Sequence, residues 1–145
     1  MTEKTDYDHD FYAWAMTNAQ MLRQQRFAEI DIENIAEELE TLGRSEKREL
    51  LNRLAVLLAH LLKWQFQPER RGKSWELTIW EQRRKLRKHL MENPSLRAQL
   101  DAAISDAYDD AIAHLSRRTS LEKSRLPSQC PYTPDEVFSD DFLPH

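Results

Sequence analysis

Apolar residues return every three or four positions through most of this chain, the period of a helix with one covered face. The clearest run is residues 31–66. There Ile32, Ile35, Leu39, Leu42, Leu50, Leu54, Leu57, Leu58 and Leu61 share a side, and no proline interrupts them. Asp31 is a suitable N-cap, and Ile30 before it faces Ile35 as a hydrophobic staple. Pro68 ends the segment. Gly43 leaves two readings, a helix that stops and restarts at Ser45 or one that continues. The apolar phase is kept across it, which favours a continuous or weakly kinked helix.

Three further helices follow from the same pattern. One runs from residue 8 or 10 to 25, capped by Asp10, with Phe11, Trp14, Ala15, Asn18 and Leu22 at helical spacing. Ser74 is the expected cap of another, whose Trp75, Ile79, Gln82, Leu86 and Leu90 line one side. Asn93 and Pro94 then read as cap and first residue of a helix burying Leu96, Leu100, Ala103, Ile104, Ala107 and Ala111. Beyond about Ser120 the period is lost among four prolines, although residues 133–136 (TPDE) form a capping box for one short turn. The prediction is a single all-α domain over residues 1–145, an antiparallel bundle of four to five helices. Residues 1–7 are expected to be flexible. The irregular tail, 120–145, is expected to pack on the bundle through Leu126, Tyr132, Val137, Phe138 and Phe142.

Composition adds little to the fold but narrows the chemistry. Only two glycines, Gly43 and Gly72, occur in 145 residues, too few for phosphate-binding loops or a β-rich domain. Cys130 is the only cysteine, so no disulfide forms within the chain. The N-terminal residues are acidic and carry no apolar leader core, and no apolar run approaches a membrane span. A cytoplasmic protein with no membrane partner is expected. The net charge of −4 hides a division: residues 1–62 carry −5, residues 63–97 carry +6 and residues 98–145 carry −5.

Four groups of side chains invite a chemical reading. On the 31–66 helix, His60 lies about 110° from the centre of the core stripe, on a flank shared with Glu46, Glu49, Arg53 and Trp64. With Glu38, Lys63 and Arg83 these make a candidate polar site, in which a carboxylate would set the histidine tautomer. A structural network that catalyses nothing is the favoured reading, because buried polar groups need partners in either case. Arg70, Arg71, Lys73, Arg83, Arg84, Lys85, Arg87, Lys88 and Arg97 make a basic segment. Within it Arg83, Arg84, Arg87 and Lys88 form an exposed ridge at helical spacing that could follow phosphates. A solvated face paired with acidic helices is favoured over nucleic-acid binding. His60, His89 and His114 fall on three different helices, a weak metal candidate with no ligand motif, although His114 sits within an apolar stripe. Cys130 has no activating neighbour. No metal or cofactor is therefore called for.

Several segments together resemble a bacterial family known as domain of unknown function 29. They are YDHDFYAWAMTNAQMLRQQRFAEIDIENIAEELETLGRSEKREL, LLAHLLKWQFQPERRGKSWELTIWEQRRKL, NPSLRAQL, AYDDA and CPYTPDEVFSDDFLP. The family's motif positions fall on Asp10, Trp14, Glu38, Glu40, Leu42, Gly43, His60, Lys63, Trp64, Pro68, Trp75, Arg83 and Pro94. His89 and His114 are not among them. The resemblance implies an all-helical fold in the bacterial cytoplasm and assigns no role to these residues. The functional expectation is a non-enzymatic module that binds a protein partner or itself. The alternatives are a small enzyme built around His60, Lys63 and Arg83, or a nucleic-acid-binding factor using the basic helix.

Overall fold

A computed structural model describes residues 6–145, and the chain is all-α. The expected flexible stretch 1–7 therefore falls mostly on residues 1–5, outside the described residues. Five helices occur among the described residues: α1 (Phe11–Arg23), α2 (Ile32–Phe66), α3 (Lys73–Glu92), α4 (Leu100–Arg118) and the short α5 (Pro134–Phe138). Gly43 lies inside α2 without breaking it, and nothing approaches the position of its absent side chain. The chain divides into two compact units, residues 1–45 and 46–145, with the boundary inside α2.

The first unit is α1, its connection and residues 32–45 of α2. The Asp10 carboxylate accepts from the Ala13 amide and caps α1. The helix ends at Arg23 with Gln24 as its C-cap, and the next residue, Gln25, has a left-handed φ of 58°; the Gln25 and Arg26 amides reach back to the Leu22 and Met21 carbonyls. Trp14 and Asn18 are its buried residues. Asp31 begins α2 as expected and joins the two helices: its carboxylate accepts from the Trp14 indole at 2.8 Å, and its amide donates to the Asn18 side chain at 2.8 Å. Tyr7, Phe11 and Trp14 stack edge to face or tilted beside this knot, and the Tyr7 hydroxyl bonds to Glu38.

The second unit has a conventional apolar core. Leu50, Leu54, Leu57, Leu58, Leu61 and Leu62 of α2 are fully buried against Ile79, Leu86 and Leu90 of α3. Ala103, Ala107 and Ala111 of α4 join the same core, together with Ile104, Tyr108 and Leu115. Each such leucine contributes about 1.5–3 kcal/mol relative to exposure. Leu126, Tyr132 and Val137 of the tail are part of this core, with Phe138 and Phe142 packed against it. The Tyr108 hydroxyl donates to the Pro127 carbonyl and the Tyr132 hydroxyl to the Gln65 side chain. At α5 both halves of the Thr133–Glu136 capping box form.

Two expected caps differ. Gly72, not Ser74, occupies the N-cap of α3, and no side chain caps that end. Pro94–Gln99 forms a 3-10 helix, so α4 begins at Leu100; the Asn93 side chain instead donates back to the His89 carbonyl.

Candidate functional site

The expected polar site is divided among separate partners. Glu38 is engaged by Tyr7 within the first unit. That contact holds the phenol in its neutral form, with a pKa pushed up to about 12.

In the second unit, Glu46, Glu49 and Arg53 line a seam between α2 and α3, and the histidine that completes it is His89 rather than His60. His89 is 4% exposed. Its Nε2 donates to the Glu46 carbonyl at 2.8 Å, and its Nδ1 lies 3.1 Å from the Glu49 carboxylate and 3.6 Å from that of Glu46. Both ring nitrogens thus face acceptors. Arg53 reaches Glu49 at 3.3 Å and Gln82 at 3.4 Å. The groups saturate one another, which makes a structural crosslink. A pocket of about 260 Å³ adjoins it, lined by Arg84, Lys85 and Lys88 as well as Glu49 and Glu92. Lys85 and Lys88 there pair with Glu81 and Glu92.

His60 has different company. Its Nδ1 donates to the Val56 carbonyl one turn back, so a backbone oxygen, not a carboxylate, sets the tautomer. Burial holds its pKa below the ordinary value, and the charges of Lys63 and His114 lower it further. Burial also lowers Lys63, whose ammonium lies 5.5 Å from the centre of the Trp75 ring. His114 is exposed rather than set in the apolar stripe of α4. Among the described residues, no three His, Cys, Asp or Glu side chains gather as a metal would require.

The basic ridge is also redistributed. Arg83 is 1% exposed, not on the surface; its Nε donates to the Val137 carbonyl at 2.8 Å and an Nη to that of Glu136 at 3.1 Å. Arg87 donates to the Phe138 carbonyl and grips the Asp140 carboxylate with both Nη atoms at 3.1 Å. Two cations of the ridge thus satisfy the last carbonyls of α5, where helix geometry leaves acceptors free and the dipole is negative. The need to leave water holds the Arg83 pKa below its usual range. Arg71 donates to the Trp64 carbonyl and lies over the Trp64 ring. Arg70, Lys73, Arg84 and Lys88 remain exposed, and Arg84 lies over the Trp80 ring.

The feature that sequence reasoning missed is apolar. Ile32, Leu39 and Leu42, placed by their spacing in the core stripe, are all exposed; Leu39 and Leu42 retain 63% of their surface. Phe11, Tyr12, Met16, Leu22 and Phe27 of the same unit are exposed as well. The outer side of α3 also shows Leu77, Trp80 and Met91. In the second half of α2, Val56 is exposed, Trp64 is half-buried and Ala59 is buried.

The family model for Domain of unknown function DUF29 matches residues 7–143. The chain belongs to that family. No curated protein and no solved structure matches it. Of the DUF29 motif positions noted in the sequence, Trp14 belongs to the hydrogen-bonded knot, Glu38 bonds to the Tyr7 hydroxyl, and Arg83 fastens the tail. Among the described residues of this DUF29 chain, no helix is long and apolar enough to cross a membrane.

Proposed function

We propose that the chain is a non-enzymatic interaction module of the bacterial cytoplasm whose binding face is the apolar surface of its first unit. One observation carries this reading: eight large apolar side chains between Phe11 and Leu42 stay exposed, seven of them on fully formed helices. The Trp14–Asn18–Asp31 knot accounts for how this unit holds its shape without covering them. Proteins rarely leave so many large apolar side chains of one small unit in water unless a partner covers them.

The enzyme alternative needs Glu38, Glu46 or Glu49 beside His60, Lys63 and Arg83. In its place Glu38 bonds to Tyr7, Glu46 and Glu49 meet His89, and Arg83 meets backbone carbonyls. The nucleic-acid alternative loses two of its four ridge cations to the tail.

A photo-activated cross-linker introduced at Leu39 or Phe27 in the living bacterium tests the proposal. A discrete protein adduct is expected from those positions and none from Ser116, exposed on α4. Absence of any adduct from either apolar position would overturn the reading.

A further inference from the structure

The molecule carries two exposed apolar faces, and their charges are opposite. On α2, Ile32, Ala36, Leu39 and Gly43 follow one another at intervals of four, three and four residues, all exposed. They make a stripe about 16 Å long with small residues between large ones. Glu33, Glu37 and Glu40 run along its edge, also exposed. The whole unit is acidic, with three basic and nine acidic residues in positions 6–45, a net −6.

On α3 the side opposite the core bears Leu77, Trp80, Arg84, Lys88 and Met91, at intervals of three, four, four and three residues. This second stripe is about 21 Å long. Apolar residues stand at its ends and cations at its centre, and the Arg84 guanidinium lies 5.6 Å from the centre of the Trp80 ring. The helix that presents it carries six basic and three acidic residues, a net +3.

We propose that the acidic apolar face of the first unit docks on the basic apolar face of α3 in a second copy of the chain, a partner assignment that rests on the interaction reading above. Charge decides between the pairings. Two first units brought face to face would oppose −6 with −6, whereas the α2 stripe against α3 sets Glu33, Glu37 and Glu40 opposite Arg84 and Lys88. Both stripes are helical and of similar length, so side chains of one fit between those of the other as in ordinary helix packing. The two patches differ, so the contact is reciprocal in a closed dimer or repeats in a longer assembly.

Sedimentation velocity on the purified full chain, over a concentration series at low and high salt, tests the assignment. The wild type is expected to associate as concentration rises, and less so at high salt. Arg84→Glu with Lys88→Glu should weaken association at least about tenfold, and so should Glu37→Lys with Glu40→Lys. An equimolar mixture of the two reversed proteins should associate again, a rescue that misfolding of either could not produce. A wild type that stays monomeric throughout, or a mixture that fails to associate, overturns the assignment. If a monomer in solution is accompanied by a cellular adduct from Leu39 to a different protein, self-docking falls and the interaction reading stands. If no adduct forms either, both fall.

Discussion

Leu42 and Leu57 lie on the same helix, fifteen residues apart, and each has a leucine three positions before it. Leu57 is completely buried, while Leu42 keeps 63% of its surface. Around Leu57, α3, α4 and the tail supply the cover. The first unit has instead a hydrogen-bonded knot at the start of α2, where Trp14, Asn18 and Asp31 fix the path of the chain. Apolar periodicity states that a helix has a face to cover; it does not state which molecule covers it.

The comparison breaks most visibly in the second unit. Leu57→Ala should cost about 3 kcal/mol, since a fully packed leucine leaves a cavity that its neighbours fill only in part. Equilibrium denaturation measures it, and a change below 1 kcal/mol would mean that this core is looser than its burial implies. Arg83→Met comes next. It removes charge-assisted bonds to two carbonyls and leaves both acceptors without their donor, a loss of about 2 kcal/mol. The tail should then be cleaved faster by protease. Arg83→Lys should not restore protection, because an ammonium lacks the fork that reaches both oxygens.

In the first unit the equivalent weak point is polar. Trp14→Phe deletes the indole donor to Asp31 together with the five-membered ring that carries it, which should cost at least about 1–2 kcal/mol of that unit's stability. Hydrogen exchange of the α1 amides would show it. Unchanged exchange would mean that the knot does not hold the unit together.

His60 gives a pH signature confined to the second unit. Its folded pKa lies below the ordinary 6.5, so the unfolded chain takes up a proton first as the solution is acidified. Its contribution to stability is complete above about pH 6.5 and declines as the pH falls below it. Denaturation midpoints for wild type and His60→Gln between pH 7 and pH 5 should converge toward the acid end. Parallel curves would show that burial does not act on this imidazole.

Much of the fold was legible in the sequence for local reasons. Asp10 and Asp31 as caps, the continuity of α2 through Gly43 and the box at Thr133 each depend on residues within a turn or two. What could not be read locally depended on distant partners. The acceptors of Arg83 lie 53 and 54 positions away, and the carbonyl that receives the His89 proton lies 43 positions away. A run of cations at helical spacing therefore looked like an exposed ridge, although two of its members clasp the end of α5. The polar flank of α2 was legible in Glu46, Glu49 and Arg53, but its histidine belongs to α3. The uncovered leucines of the first unit had the same spacing as covered ones.

The smallest expected effect on stability is the most direct test of the account. Leu39→Ser with Leu42→Ser should change the unfolding free energy by no more than about 1 kcal/mol in dilute solution, because each side chain keeps most of its surface in water and the helix loses only propensity. A loss of several kcal/mol, on the scale of Leu57→Ala, would place these leucines in the core and contradict the claim that the first unit displays them for binding.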